Sequence, residues 1–223
     1  MKKTKALQLY LFLAALFVAA LITCNLIANK FISLDLGFHT FIISAGVLPY
    51  PITFLITDLL SELYGRKKTN LVVAMGFFAS IMVLGILLLA NNFPAITESP
   101  ISDEVYSQVF SNSWRVIGAS MIAYLSAQFL DIRLFHFWKK LTKGKHLWLR
   151  NNASTTLSQL LDTTLVVVVL FAGQIPFNNL LEFILHGWFF KLLCALFDTP
   201  FLYLAVYRAR KYFGLSANTE LEL

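Results

Sequence analysis

Two carboxylates lie inside an apolar stretch in the first third of the chain. Asp58 and Glu62 fall within residues 49–66, which are otherwise apolar enough to lie in a membrane, and Pro49 and Pro51 interrupt the start of this stretch. An acid at membrane depth costs about 2.5–3.5 kcal/mol on insertion scales, so it faces a bundle interior, pairs with a cation or contacts a ligand. The two acids are four residues apart and share a helix face. This face is the first candidate functional site.

Three further aspartates fall inside apolar segments. If the helices end near residues 65, 137, 153 and 207, each aspartate lies about six to nine residues from the same membrane boundary, which is about 9 to 14 Å. The sequence therefore predicts one layer of four carboxylates: Asp58, Asp131, Asp162 and Asp198. The alternative for each is an acid that snorkels or caps a neighbouring helix, and this alternative stays open above all for Asp131.

Two amides accompany these acids at helical spacing. Gln128 precedes Asp131 by three residues, and Gln159 precedes Asp162 by three. Each amide therefore shares a helix face with its acid. We expect both amides to lie beside the acidic layer.

One lysine and two asparagines complete the polar set within the apolar segments. Lys191 precedes Asp198 by seven residues, two turns along one face. It lines the site or forms a structural ion pair with a carboxylate of a neighbouring helix. Asn25 and Asn29 are one turn apart and either line the site or join two helices, a contact worth about 0.6 kcal/mol.

The composition places all these residues in a polytopic membrane protein. The 223 residues are 58% hydrophobic and 15% aromatic but only 13% charged, and the net charge is +6. The mean hydropathy is +0.70. A soluble domain carries about a quarter charged residues. The cations fall between apolar segments, which favours a membrane topology signal over a nucleic-acid surface.

Six apolar runs are long enough to cross a hydrocarbon core of about 30 Å. They cover residues 7–28, 41–64, 70–90, 116–138, 153–173 and 185–207. Of the 18 cations, 15 precede the first run or lie at or after the ends of the even-numbered runs. The positive-inside rule then places both termini in the cytoplasm. We predict an all-α bundle of six transmembrane helices that forms a single domain, residues 1–223. We expect the first span to be retained and not removed as a signal peptide or lipoprotein leader.

Soluble enzyme motifs and metal-ligand clusters are missing from the sequence. It contains no Gly-x-Ser-x-Gly, His-Glu-x-x-His or Gly-x-x-x-x-Gly-Lys-Ser/Thr segment. The cysteines lie singly within spans, and the histidines lie at span ends or in loops: Cys24, Cys194, His39, His136, His146 and His186. We expect no enzyme, metal, cofactor or nucleic-acid partner.

Several segments together resemble the queuosine precursor transporter family, also called the vitamin uptake transporter family. They are Asn25, the Pro-x-Pro-Ile-Thr-Phe-Leu-x-Thr-Asp-Leu-x-Ser-Glu-x-Tyr-Gly of residues 49–65, Arg-x-x-x-Ala-Ser of 115–120, Gln128 with Asp131, residues 150–163 with Ser-Gln-x-x-Asp-Thr, and Lys191 with Asp198-Thr199-Pro200. The resemblance covers essentially the whole chain, apart from the loop of residues 91–113. It implies an importer of 7-deazaguanine compounds, the precursors of queuosine in transfer RNA, in the bacterial inner membrane.

This resemblance gives the polar residues an expected role in binding. A guanine-like base offers adjacent N–H donors to a carboxylate, amides read its carbonyl and ring N–H, and aromatic faces stack on it for about 1–3 kcal/mol. We expect Asp58, Glu62, Gln159, Asp162, Lys191 and Asp198 to converge on one cavity, with one acid holding the base and another carrying a coupling proton. Asn25, Gln128 and Asp131 complete the candidate set.

Other classes of membrane protein remain open. A six-span binding subunit that passes its substrate to a separate ATP-driven partner has the same sequence features. An intramembrane aspartyl hydrolase needs two acids sharing a water, and a channel generally presents rings of one kind of group. The coupling ion, the exact deazapurine and the oligomeric state, a homo-oligomer included, are not fixed by the sequence.

Overall fold

Helices make up most of the chain, as predicted. The computed structural model describes all residues except 1, 29, 36, 38–39, 112–113, 172–175, 217–218 and 223, and it leaves out the side chains at 31, 42, 111, 114–117, 119–120 and 170–171. The elements are α1 (Lys2–Ile27), β1 (Phe31–Asp35), β2 (Thr40–Ser44), a 3-10 turn (Ala45–Val47), α2 (Tyr50–Ala90), α3 (Asp103–Tyr106) with a π turn (Ser107–Ser111), α4 (Trp114–Leu141), α5 (Leu147–Phe171) and α6 (Phe177–Phe213).

Helix α2 is divided by a sharp turn at Gly65. The backbone there has φ 77° and ψ 171°, a region that is essentially restricted to glycine. The hydroxyls of Ser61 and Thr69 are 3.4 Å apart across the turn, although eight residues of straight helix would separate them by about 12 Å. The halves, residues 50–64 and 66–90, correspond to the second and third predicted runs.

Helix α1 runs parallel to the second half of α2. Near its start the Tyr10 hydroxyl donates to the Lys68 carbonyl over 3.1 Å, and near its end the Asn25 amide donates to Ser80 over 3.2 Å. The helices approach closely because Gly76 has no side chain; a Cβ there would lie 2.8 Å from the Phe17 ring. The two helices therefore run in the same direction, as expected for the first and third of six membrane spans.

The other helices alternate in direction around the first half of α2. That half runs parallel to α4, since Thr57 accepts a hydrogen bond from Gln128 and Glu62 lies 3.4 Å from Lys139 further along. The contacts between α4, α5 and α6 show that each is antiparallel to the next; they are Asp131 with Ser158, Phe135 with Arg150, Asp162 with Lys191, and Asn152 with Thr199.

These directions bring the basic segments to one end of the bundle. We call it the basic end; it carries Lys3, Lys68, Lys139, Arg150 and Arg210. The chain returns there after α6, where the Leu221 N–H donates to the Leu63 carbonyl over 2.7 Å and Lys68 donates to the Leu221 carbonyl over 2.9 Å. Lys3 and Glu222 form a surface ion pair at 3.6 Å.

The opposite end contains an antiparallel hairpin that the sequence analysis did not predict. Strand β1 pairs with β2 in the register Phe31 with Ser44. Phe41 and Ile43 are buried against Phe190 of α6. The expectation of a helix from residue 41 is therefore wrong for residues 41–44. The strand was missed because its short apolar sequence runs directly into the apolar sequence of α2 and looks like the start of the same helix.

The outer surface of the bundle is apolar. Large side chains such as Phe12, Phe78 and Phe197 are exposed. Within the described residues, three segments are long and apolar enough to cross a membrane: α1, Ala45–Ala90 and α6.

Candidate functional site

A buried ion pair between α5 and α6 lies in the half of the bundle away from the basic end. The Lys191 ammonium donates to Asp162, and both side chains are almost fully buried. The ammonium also lies 4.7 Å from the centre of the Tyr50 ring, and Tyr50 makes an edge contact with Tyr124 at 5.8 Å between centroids. Residues of four helices therefore meet here. We call Asp162, Lys191, Tyr50 and Tyr124 together the outer tier.

Three aspartates from three helices form a second group, the middle tier. Asp58, Asp131 and Asp198 are buried, and the charges of the other two act on Asp58. The Ser158 hydroxyl donates to Asp131 over 2.9 Å. One oxygen of Asp198 has no hydrogen-bond partner among the described residues.

The expected single layer of four aspartates is wrong. Asn152 donates to Thr199 over 2.9 Å, so Asp198 lies level with the first turns of α5. Asp162 lies ten residues beyond Asn152 on α5, and its partner Lys191 lies seven residues before Asp198 on α6, so the two acids are about 10 to 15 Å apart along the bundle axis. The depth was misjudged because α5 begins at Leu147, earlier than the expected residue 153.

Glu62 lies beyond the middle tier, towards the basic end. Its two oxygens accept from Arg150 at 2.8 Å and from Arg210 at 2.7 Å, and Lys139 lies 3.4 Å away. A substrate could reach this carboxylate only by displacing a cation. We call these four residues the Glu62 cluster.

Two glutamines carry hydrogen-bonding atoms that have no partner among the described residues. Gln159 is 1% exposed, and neither atom of its amide has a partner among the described residues. Gln128 donates to Thr57 over 2.9 Å, but its carbonyl oxygen is unpaired in the same part of the chain. An unpaired oxygen of Asp162 adds to this set. Buried polar atoms of this kind require an explanation, and a bound polar ligand is one.

Asn25 lies on α1 and lines a cleft together with Tyr124, the α4 ring of the outer tier. Its hydrogen bond to Ser80 joins α1 to α2, which agrees with the expectation of a link between helices. The pair borders a small cleft that also contacts Met121. Asn29 and the side chains of Arg115 and Ser120, which the sequence analysis also selected, lie outside the described residues.

The arrangement offers no metal site among the residues that the structure describes, since no group of three or more His, Cys, Asp or Glu is placed to hold an ion. What the two tiers offer is an interior with carboxylate oxygens, amides and aromatic rings on four helices. These are the kinds of group that pair with a planar molecule that has several donors and acceptors.

Residues 44–205 match the model of a protein family described as putative vitamin uptake transporter. The match covers well over half of the chain. This chain belongs to that family. It is thus a helical membrane transporter and not an enzyme, and the resemblance stated from the sequence is confirmed.

Two relatives of this transporter carry the same descriptive name. A protein of Bacillus subtilis named "Probable queuosine precursor transporter" is 30% identical over 165 residues, covering 72% of this chain and 70% of its own length. A Haemophilus influenzae protein of the same name is 27% identical over 132 residues, covering 58% of this chain and about half of its own length, 51%. No solved structure matches the chain.

Sequence reasoning missed several partners of the transporter's buried acids. Arg150 was counted as a loop cation, yet it is 2% exposed. The available signal was its position at the start of the residue 150–163 segment that carries the family resemblance. Thr57 and Ser158 carried the same signal, since Thr57 stands in the quoted motif of residues 49–65 and Ser158 opens Ser-Gln-x-x-Asp-Thr. Tyr50 stands at a variable position of its motif and gave none.

Proposed function

We propose that this transporter imports queuosine precursors, 7-deazaguanine compounds, through a six-span bundle in the bacterial inner membrane, as a single domain with both termini in the cytoplasm. Membership of the transporter family and the shared name of the two relatives support the substrate class. The proposed site is the interior between the outer and middle tiers.

The observation that carries this proposal is the unpaired amide of Gln159. A buried primary amide can donate two hydrogen bonds and accept two. The pyrimidinone edge of a 7-deazaguanine presents a carbonyl and a ring N–H side by side, which match one amide donor and one amide acceptor. Leaving such a group unpaired in a buried site costs about 1–3 kcal/mol, so a ligand that pairs with it gains affinity.

The acids and aromatic rings supply the other contacts in the proposal. The unpaired Asp162 oxygen can accept an N–H from the exocyclic amine of the base, while Lys191 holds the other oxygen in place. Tyr50 and Tyr124 offer ring surfaces at the same level. Stacking on aromatic side chains contributes about 1–3 kcal/mol per base.

The orientation in the proposal is supported by the basic end. The helix directions alternate as six spans require, and the segments rich in Lys and Arg meet at one end. Cytoplasmic loops of bacterial inner-membrane proteins carry this excess of cations. The basic end is therefore the proposed cytoplasmic face.

Uptake in cells that cannot synthesise the precursor tests the proposal. The chain expressed alone should restore labelled precursor uptake and queuosine in transfer RNA, and Gln159→Ala should reduce initial uptake at least about tenfold. Gln8→Ala, which changes an exposed glutamine of α1, is the matched control and should transport normally. Normal uptake by Gln159→Ala would remove the assigned site, and no uptake by an inserted wild-type chain would remove self-sufficient transport.

A further inference from the structure

The Glu62 cluster joins every helix that surrounds the middle tier. Glu62 belongs to the first half of α2, and its cations Lys139, Arg150 and Arg210 belong to α4, α5 and α6. Glu62 is four residues from Asp58, which is about 6 Å along the helix. The cluster thus lies directly between the polar interior and the basic end.

The exposure of the cluster members increases towards the basic end. The side chains of Glu62 and Arg150 are each 2% exposed, whereas those of Lys139 and Arg210 are 12% and 14% exposed. The cluster is therefore the boundary at which the buried interior ends and the solvated face begins. The four residues in contact therefore lie between the middle tier and the solvated face.

A buried ion cluster is a poor device for stability alone. Replacing such a cluster with apolar residues is often neutral or stabilising, because desolvation offsets the attraction between the charges. Here three cations share one carboxylate, so Glu62 still has two cationic partners when one of the three moves away. Such a cluster can separate stepwise as water enters from the basic end.

One of the joined helices is broken beside the cluster, and another contains a proline ten residues from its cluster member. Gly65 divides α2 three residues after Glu62, and Pro200 lies inside α6 between Asp198 and Arg210. Proline removes a helical hydrogen bond and its ring kinks the helix. The segments that carry Glu62 and Arg210 can therefore move relative to the rest of their helices without unfolding them.

We infer that Glu62, Arg150, Arg210 and Lys139 form the gate at the basic end of the transporter, and that the structure shows this gate closed. The four residues separate when the interior opens to that end. In this role Glu62 positions helices and does not bind the substrate. The inference rests on the fold and on family membership, and it holds whichever small molecule is carried.

Labelling of a cysteine behind the gate tests the inference without any substrate. Ser154 is fully buried on α5, one turn inside Arg150. In a chain with Cys24→Ser and Cys194→Ser, Ser154→Cys should react slowly with a charged thiol reagent in lipid nanodiscs. Adding Glu62→Gln should raise the labelling rate about tenfold or more, because breaking one side of a buried ion pair costs more than the 1.4 kcal/mol that corresponds to tenfold.

Arg210→Gln is the second variant, since Arg210 is partly exposed and its loss is milder for folding. Lys211→Gln, on the adjacent exposed residue of α6, is the matched control and should leave the rate unchanged. Val167→Cys, buried in the other half of α5, reports general unfolding and should stay unreactive in every variant. Unchanged labelling of Ser154→Cys in both Glu62→Gln and Arg210→Gln, or equal labelling of Val167→Cys, would overturn the gate.

Discussion

The ion pair of Lys191 with Asp162 is the residue-scale feature whose role in stability can be separated from its role in transport. Lys191→Met should destabilise the protein by about 3–5 kcal/mol, because it leaves Asp162 charged and buried without its partner. The double variant Lys191→Met with Asp162→Leu should recover most of that loss, since no unpaired charge remains. The free energy of unfolding of the purified protein measures both changes.

Uptake distinguishes the two roles of this pair. Both variants should lose uptake, because the proposed site needs the unpaired Asp162 oxygen and the lysine that orients it. Lys140→Met, at an exposed position of α4, controls for the loss of a charge. Normal uptake by the double variant would show that the pair serves packing alone.

At the same scale, the sequence predicted the burial of the intramembrane acids and offered a pair between Lys191 and a carboxylate of a neighbouring helix, which is present with Asp162. It did not predict the partners of Glu62. Helical spacing identified Asp58 and Glu62 on one face, and both are buried. Their environments differ, because Arg150 and Arg210 arrive at Glu62 from helices that are 88 and 148 residues away in sequence. Pairing over that distance depends on helix directions and registers, which spacing within one helix cannot supply.

Gly65 gives a prediction at the scale of the helical element. Gly65→Ala should destabilise the protein by about 1–3 kcal/mol, because φ 77° with ψ 171° is strained for any residue with a Cβ. The added Cβ would also contact the Glu220 carboxylate. Thermal unfolding of the purified variant measures the effect.

Gly85→Ala is the matched control for this substitution. Gly85 lies in the second half of the same helix, and a Cβ there would meet no atom within 4 Å. Alanine is favoured over glycine within a helix by about 1 kcal/mol, so this variant should be neutral or slightly stabilised. An equal loss in both variants would contradict the strain at Gly65.

The helical elements were more predictable than their ends. Each predicted run overlaps a helical segment, because about 20 apolar residues in succession have few other folds available. The start of α5 was misplaced by six residues, since residues 147–152 are polar enough to resemble a loop. They are helical because Arg150 pairs with Glu62, and Asn151 and Asn152 hydrogen bond to Thr199 of α6.

The topology gives a prediction at the scale of the whole molecule. Lys145→Cys, in the exposed loop between α4 and α5 at the basic end, should react with an impermeant thiol reagent in inverted vesicles but not in intact cells. Ile96→Cys, at a 72% exposed position between α2 and α3, should show the opposite pattern. Both follow from the proposal that the basic end, where the cations are concentrated, faces the cytoplasm. The reverse pattern in both variants would invert the proposed orientation.

The parallel pairing of α1 with the second half of α2 has a consequence for biosynthesis. Asn25 and Ser80 are 55 residues apart in sequence. At about 5–20 residues per second, Ser80 is made roughly 3 to 11 s after Asn25. During that interval the amide of Asn25 has no Ser80 to bind, and an unpaired amide is costly in hydrocarbon. We therefore expect nascent α1 to stay beside the insertion machinery until the second half of α2 has been made and packs against it after the turn at Gly65.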